Sequence, residues 1–269
     1  MNSRFKNGQI IRVGFYIVEV FQYASIYEEM LKSDFFEPFI VVVPDFVRKE
    51  INLEVMNKVC DSLSSKYQAV YKGYNEQNDE YIDFADKLDI VFFGNPYEEM
   101  AHPNHFIWHM LQKNILTCFQ NYGYFTITWG RTYISGIAFF WNACWRVFVD
   151  SYENYNDLIM YNIRKGANAY ISGYAKMDKL ASIEYKNKTR KQILLCPHHT
   201  VHNKDLEPSN FLQYSDFFLE LPKLYPDVDF IFRPHQLLKY NLINYWGDEK
   251  TNKYYETIIS YLNVVYDNN

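Results

Sequence analysis

The stretch Phe39–Pro44 reads FIVVVP, an unbroken apolar run that is closed by a proline. A second run, DIVFFG at Asp89–Gly94, is followed by Asn95 and Pro96. Strands that are buried on both faces of a parallel sheet show this continuous apolar pattern, whereas strands with one wet face alternate. Helical spacing lies between the runs. The pattern therefore predicts an α/β fold with parallel sheets.

The first half of the chain continues this alternation. The further elements predicted there are strands at Arg12–Val18 and Ile115–Phe119, and helices at Tyr23–Lys32, Asp45–Ser62 and Asp79–Leu88. Phe139–Tyr161 is aromatic and has helical spacing without a turn signal, so we interpret it as the passage between two lobes. The predicted division is a first Rossmann-like lobe at 1–150 and a second Rossmann-like lobe at 151–269.

The second lobe repeats the alternation. Its predicted elements are strands at Ala169–Gly173, Ile193–Cys196, Asp229–Phe232 and Asn263–Tyr266, and helices at Met177–Tyr185, Ser209–Tyr225 and Thr251–Leu262. Ser209 and Thr251 are the predicted N-caps of the last two helices. A doubly wound lobe has several parallel strands with helices on both faces. The chain stops after the last predicted strand, so we expect a truncated second lobe that self-associates through an uncovered sheet edge.

Composition and charge limit the classes of function. The 269 residues carry a formal net charge of −5, which disfavours binding of nucleic acid through a broad basic surface. Cys60, Cys118, Cys144 and Cys196 are widely spaced, so we expect buried free thiols in a reducing compartment. No signal peptide and no apolar stretch of about 18 residues is found. These features predict a cytoplasmic protein, and peripheral contact with the inner face of a membrane stays open.

Two strand ends of the second lobe carry the candidate site. ILLCPHHT places His198, His199 and Thr200 after one strand, and FIFRPH places Arg233 and His235 after another. Open α/β sheets bind ligands at the carboxyl ends of their parallel strands. Arginine offers a fork of N–H donors to phosphate oxygens, and imidazole can transfer protons near neutral pH. The pattern predicts a site for a phosphorylated ligand; capping of carbonyl groups or helix ends is the alternative for any single histidine.

A second histidine group lies in the first lobe. His102, His105 and His109 would share one face of a continuous helix, and three imidazoles are one of the ligand sets of zinc. Pro103 interrupts the segment, and no HExxH-type motif is near. We therefore expect ordinary, partly buried histidines and no metal ion. The absence of GxGxxG and GxxxxGK[ST] loops also disfavours a dinucleotide dehydrogenase or a P-loop NTPase.

The spaced segments GYAKMDKL at Gly173–Leu180, ILLCPHHT and FIFRPHQLL resemble the CDP-glycerol glycerophosphotransferase family, which includes the teichoic acid polymerases and their capsule-synthesis relatives. ILTCFQNYGYF at Ile115–Phe125 is similar to the capsule branch. The resemblance implies a GT-B-like fold with two Rossmann-type lobes, the first (1–150) on the acceptor side and the second (151–269) binding the donor. It also implies a metal-independent transferase that needs no cofactor. Such an enzyme moves glycerol phosphate, or a related polyol phosphate, from a CDP-linked donor to a polysaccharide or polyol-phosphate acceptor and releases CMP.

The resemblance also implies roles for individual residues. His198, His235 and Arg233 would be catalytic. The residues expected to bind the donor are His199, Thr200, Tyr122, Gly123 and Tyr124. Two alternatives stay open, because lobe architecture does not distinguish them. One is a GT-B glycosyltransferase of surface polysaccharide synthesis that uses a nucleotide sugar, and the other is a non-catalytic module that binds a nucleotide or a sugar phosphate.

Overall fold

The computed structural model describes residues 8–44, 49–97, 100–121, 123, 139–184, 188–201 and 209–267. The chain forms two compact units, Met1–Ile183 and Glu184–Asn269. The boundary between the units therefore lies after Ile183, later in the sequence than the predicted boundary after residue 150. The reason is that a strand at 169–171, expected in the second lobe, pairs with the sheet of the first unit.

The first unit is built on a parallel sheet of seven strands. In chain order these strands are β1 (Ile11–Ile17), β2 (Phe36–Val42), β3 (Val70–Lys72), β6 (Ile90–Phe93), β7 (Leu116–Gln120), β8 (Arg146–Val149) and β9 (Ala169–Ile171). A separate antiparallel hairpin consists of β4 (Tyr74–Asn75) and β5 (Glu80–Tyr81). Across the sheet the order is β3-β2-β1-β6-β7-β8-β9, so the winding direction reverses beside β1, as in doubly wound folds.

Helices cover both faces of this sheet. They are α1 (Ala24–Met30), α2 (Lys49–Ser64), α3 (Ile107–Gln112), α4 (Phe139–Ala143), α5 (Tyr152–Tyr161) and α6 (Met177–Ala181). Two hydrophobic cores result. Phe15 of β1 lies in one core with Tyr27 of α1, and its neighbour Tyr16 lies in the other with Phe119 of β7. The continuous apolar runs of the sequence are explained by this burial on both faces.

Two predicted elements of the first unit are wrong. Asp79–Leu88 is not an α-helix, because it contains β5 and a short 3₁₀ helix at Ala85–Lys87. Asp79 has a φ of 51°, a left-handed conformation that suits a hairpin turn and not the start of a helix. Phe139–Tyr161 is not a continuous helical passage either, since β8 separates α4 from α5 and pairs with β7.

The second unit has a parallel sheet of three strands in the order β10-β11-β12. Its elements are β10 (Lys191–Leu195), α7 (Phe211–Leu224), β11 (Val228–Phe232), α8 (Leu238–Trp246), α9 (Asp248–Ile259) and β12 (Val264–Tyr266). Phe230 and Phe232 are fully buried in its core, together with Leu242 of α8. Thr251 is not an N-cap, because α9 begins earlier, after Gly247, and Thr251 lies buried within it.

The other face of the second sheet is more open. Leu194, Ile231 and Val265 lie side by side in the strand register, and Leu194 and Val265 are exposed. Self-association through this unit stays a prediction. One of the cysteine expectations is wrong, since Cys196 is exposed while the other three thiols are buried. Within the described residues, no helix has the length and apolar character that a membrane-spanning helix requires.

Candidate functional site

The carboxyl ends of β10 and β11 lie side by side. Leu195 is paired with Phe232 at the end of the ladder. Hydrogen bonds continue beyond the strands, since the N–H of Arg233 donates to the carbonyl of Leu195 at 2.9 Å, and the N–H of His235 donates to the carbonyl of Pro197 at 3.0 Å. The two segments therefore leave the sheet together, and the side chains that follow them share one edge.

Three imidazoles meet at this edge: His198, His199 and His235, which we call the histidine cluster. The ring centroids are 4.4 Å apart for His198 and His199, 4.2 Å for His199 and His235, and 5.3 Å for His198 and His235. His198 is exposed and the other two are half-buried. The structure thus brings together the residues that the two strand-end motifs placed at one edge, and their role in binding stays a prediction.

Hydrogen bonds at Nδ1 assign the tautomer of two of these rings. The backbone N of Thr200 lies 3.3 Å from Nδ1 of His198, and the backbone N of Leu237 lies 3.1 Å from Nδ1 of His235. A backbone N–H can only donate, so both Nδ1 atoms accept. In the neutral imidazole the ring proton is then on Nε2.

Asn241 of α8 assigns the same tautomer to His199. Its Nδ2 donates to the backbone carbonyl of His199 at 2.9 Å and lies 3.2 Å from Nδ1 of the same residue. Because a carbonyl oxygen only accepts, this contact sets which end of the Asn241 amide faces the histidine, and the amide N–H groups meet Nδ1 as donors. All three rings of the cluster therefore carry their proton on Nε2.

Burial favours the uncharged forms of His198 and His235. Desolvation lowers the pKa of His198. The pKa of His235 is lowered by desolvation first, and then by the positive charge that His198 acquires when it is protonated. Near neutral pH the uncharged forms of His198 and His235 are therefore favoured, and each has an N–H donor at Nε2. An anion beside the rings would raise both pKa values, because it stabilises the charged imidazolium.

The cluster suits an anion better than a metal ion. One nitrogen of each ring lies within 4.8 Å of the other two, so distance alone would permit metal binding. Zinc needs a lone pair on the ligating nitrogen. The lone pair of each Nδ1 already accepts a hydrogen bond from an N–H group. Each Nε2 carries the ring proton and therefore offers no lone pair to a metal ion. Nε2–H groups instead match the acceptor oxygens of a phosphate.

Arg233 is not the open fork that the sequence predicted. Its Nε donates to Oδ2 of Asp267 at 2.8 Å, and Nη2 makes a second, short contact with the same oxygen. Asp267 lies beside Arg233 because Phe232 and Tyr266, one residue earlier on each strand, are paired. The guanidinium therefore has an internal counter-ion. The sequence does not reveal this partner, which is 34 positions away.

The remaining predicted residues differ in their contacts. Thr200 is buried, and its Oγ1 lies 2.9 Å from Nδ1 of His198, so it orients the ring. Ser209 is not the N-cap of α7, which is Asn210, but its hydroxyl donates to the carbonyl of His198 at 3.0 Å. Gly123 is half-buried after β7. The predicted donor contacts at positions 122 and 124 lie outside the described residues.

The histidines of the first unit have separate partners. His102 stacks on Tyr81 with ring centroids 4.1 Å apart. His105 is buried and donates from Nε2 to a backbone carbonyl at 2.7 Å, and burial lowers its pKa to about 4. Nε2 of His109 lies 2.8 Å from the carboxylate of Asp83. The continuous helix that would put these rings on one face is absent from this part of the described chain, since a 3₁₀ helix precedes α3.

No protein-family profile matches the sequence, and comparison with curated proteins gives no significant match. Solved structures do match. The UDP-GlcNAc 2-epimerase from Neisseria meningitidis bound to UDP-GlcNAc is 13% identical, with a TM-score of 0.52, over 96% of this chain and 72% of that one. The S. aureus MnaA–UDP co-structure is 11% identical, with a TM-score of 0.58, over 95% and 67%. The fold is GT-B-like.

A third match has the same character. The UDP-GlcNAc 2-epimerase from Methanocaldococcus jannaschii in complex with UDP-GlcNAc and UDP is 13% identical, with a TM-score of 0.54, over 96% of this chain and 73% of that one. These comparisons confirm the predicted α/β class with parallel, Rossmann-type sheets. They contradict the expected family, because the fold neighbours are UDP-GlcNAc 2-epimerases. The predicted glycerophosphotransferase activity, with a CDP-linked polyol as donor and release of CMP, is therefore wrong.

Proposed function

We propose that this chain is a nucleotide-sugar-dependent protein whose histidine cluster holds the diphosphate of a UDP-linked sugar. The observation that carries the proposal is the tautomer of the cluster. Nε2–H donors at the carboxyl edge of a parallel sheet face the position where open α/β folds bind phosphorylated ligands. The uridine part of the proposal comes from the fold neighbours, whose structures contain UDP or UDP-GlcNAc.

The same donors can assist a reaction of the bound sugar. When water attacks the sugar carbon and the bond from that carbon to the diphosphate oxygen breaks, the electron pair of that bond goes to the diphosphate. The diphosphate leaves as UDP, and the water loses one proton to solvent as it becomes the new sugar hydroxyl. Donors that are already oriented stabilise such developing charge, and this is often a large part of catalysis. In the proposal His198 and His235 have this role, and His199 and Thr200 maintain the binding site. Arg233 contributes less, because Asp267 already neutralises its charge.

Calorimetric titration of the full chain with UDP, UDP-GlcNAc, CDP-glycerol and inorganic phosphate tests the binding step. We expect UDP and UDP-GlcNAc to bind more tightly than CDP-glycerol, and a chelator to leave the affinity unchanged. Chromatography of UDP-GlcNAc incubated with the protein tests turnover, with free UDP or an altered nucleotide sugar as the product. Loss of binding in the chelator would indicate a metal site and would overturn the anion assignment. Equal affinity for all four ligands would overturn the uridine assignment.

A cytoplasmic location and the absence of a resident cofactor stay predictions. Neither is required by the proposed binding mode, which uses only side chains of the second unit.

A further inference from the structure

A cavity of the first unit lies beside β3. It has a volume of about 540 Å³ and is enclosed by β3, the β4–β5 hairpin and the 3₁₀ helix that follows. We call it the Tyr71 cleft. The lining residues that matter here are Tyr71, Lys72, Asn75, Gln77, Phe84 and Lys87. Pockets of this size hold small organic ligands.

Aromatic rings form one wall of the Tyr71 cleft. The Tyr71 ring centroid is 5.9 Å from the centroids of both Phe84 and Phe39, and these two rings are 6.3 Å apart. Phe84 is buried, whereas Tyr71 is 49% exposed although it belongs to a paired strand. The ring contacts hold the tyrosine in place while one side of it faces solvent. A fixed aromatic surface of this kind can pack against the apolar C–H face of a sugar ring.

Positive charge lies beside this wall. Within the described chain, no carboxylate is within ion-pair distance of Nζ of Lys72 or Lys87. The Nζ of Lys87 lies 5.6 Å from the Phe84 ring centroid. The acidic residue of the cleft, Glu76, accepts a hydrogen bond from Asn57 at 2.9 Å. The ammonium groups are therefore available to an acid group of a ligand.

The hairpin gives the cleft a defined shape and adds polar groups. Tyr74 and Tyr81 pack across the hairpin with ring centroids 4.9 Å apart. The backbone N of Gln77 donates to Oδ1 of Asn75 at 3.0 Å, which orients the Asn75 amide. Amide groups on a rigid turn can pair with sugar hydroxyl groups. A smaller cavity of about 200 Å³ shares Tyr71, Phe84 and Lys87 with the cleft and is also lined by Arg12 and Glu37.

We propose that the Tyr71 cleft binds an acidic saccharide, with a sugar ring on Tyr71 and the acid group between Lys72 and Lys87. A carboxylate or a phosphate on the sugar satisfies the same chemistry. This site is separate from the histidine cluster and does not depend on the function proposed for it.

The test is a titration of the full chain, followed by calorimetry, with a glucuronic acid disaccharide, glucose 6-phosphate and lactose. We expect the acidic ligands to bind with dissociation constants of about 1 mM or lower and lactose to bind about fivefold more weakly. Preference between the first two ligands identifies the acid group. The double variant Lys72→Gln/Lys87→Gln should lose the preference for acidic ligands, and Tyr71→Ala should weaken all three.

The controls separate a binding role from a structural one. Lys66→Gln changes an exposed lysine outside the cleft and should leave all three affinities unchanged. His235→Ala should leave the affinities for the glucuronic acid disaccharide and lactose unchanged, which separates this result from the fate of the proposed function. If Tyr71→Ala fails to fold, the lysine double variant decides alone. No heat at about 10 mM ligand, or equal affinities in the parent and the lysine variant, would overturn the proposal.

Discussion

The carboxyl edges of the two sheets are both polar, but their polar atoms are used differently. In the first sheet the Tyr23 hydroxyl donates to the carbonyl of Phe93 at 2.6 Å and accepts from the N–H of Gln120 at 3.1 Å. The Gln120 side chain donates to the carbonyl of Gly173 at 2.8 Å. In the second sheet the histidine cluster uses Nδ1 for internal contacts and keeps its protons on Nε2.

On the basis of this difference we assign a structural role to the first edge and propose a binding role for the second. The first edge is buried, and its donors and acceptors form hydrogen bonds between neighbouring segments of the first unit. The second edge is partly exposed, and its internal contacts at Nδ1 orient rings that carry their proton on Nε2. A polar residue after a strand therefore does not by itself indicate a ligand site. Which of its atoms the protein uses internally, and how deeply it is buried, decides between the two roles.

The largest expected effect is on the second edge. In the double variant His198→Ala/His235→Ala we expect affinity for UDP-GlcNAc to fall about 100-fold or more, because two hydrogen bonds to a charged diphosphate are lost. Stability should change little, since neither ring is fully buried. Calorimetry and thermal unfolding measure the two quantities. His109→Ala, in the first unit, is the control, and a loss below threefold in the double variant would contradict the assigned site.

For the first edge we expect a loss of stability without a loss of affinity. Tyr23→Phe should lower the free energy of unfolding by about 1–3 kcal/mol, because the buried Phe93 carbonyl and the Gln120 N–H lose their partner. Binding of UDP-GlcNAc at the second unit should not change. Denaturant titration gives the stability, and Tyr152→Phe, at a tyrosine that is 73% exposed, is the matched control. An affinity loss as large as the stability loss would show that the first edge takes part in binding.

Patterns in the sequence predicted several strands of both sheets and the position of the histidine cluster. The apolar runs located the central strands of both sheets, and the motifs ending in His199 and His235 located the cluster, since residues after parallel strands converge at one edge. Single-sequence patterns did not predict contacts across the fold, such as Asn241 with His199 or Asp267 with Arg233. Those contacts depend on helix orientation and strand register, which are set by tertiary packing.

The misassigned elements have a related cause. Asp79–Leu88 contains polar and apolar residues at helical spacing, but the short β4–β5 hairpin requires a left-handed turn at Asp79. β9 has only three residues, Ala169–Ile171, so its pattern did not indicate which sheet it joins. The family resemblance rested on strand-end motifs that a phosphate-binding α/β lobe can carry in many families. The short motifs therefore did not identify the family, and the phosphorylated ligand that they indicate stays a prediction.

The lowered pKa values of the cluster lead to a prediction of pH dependence. Bound diphosphate stabilises the imidazolium, so binding takes up protons and affinity should rise as the pH falls. Between about pH 8 and about pH 6 we expect a three- to tenfold gain for UDP-GlcNAc, whose diphosphate does not titrate in this range. Titrations in buffers with different ionisation enthalpies measure the proton uptake directly. An affinity that is independent of pH would contradict it.

The stability of the ligand-free protein, in contrast, should fall as the pH falls. A histidine pKa that burial lowers disfavours the folded state once the pH falls below the unfolded value of about 6.5. The contribution of His198 and His235 to stability is therefore present above that value and is lost below it. Thermal unfolding across this range, with and without UDP-GlcNAc, should show that the ligand stabilises the protein most at low pH.

The smallest expected effect concerns Arg233. In Asp267→Asn the amide still accepts from the guanidinium, but the negative charge is removed, so the positive charge of Arg233 is no longer neutralised. We expect affinity for UDP-GlcNAc to rise about two- to fivefold, because an exposed ion pair contributes less than about 1 kcal/mol. At a salt concentration of about 1 M the gain should disappear, since charges are screened within a few ångströms.

A second ion pair, at the opposite end of β11, provides a control for this prediction. Arg190 and Asp229 form an ion pair with a distance of 2.7 Å at the amino end of β11, where no ligand is expected. Asp229→Asn removes the same charge at a similar exposure and should leave the affinity unchanged. If Asp267→Asn instead weakens binding while Asp229→Asn does not, Asp267 positions Arg233 for the ligand. If both variants raise the affinity equally, the gain comes from net charge and not from the strand-end site.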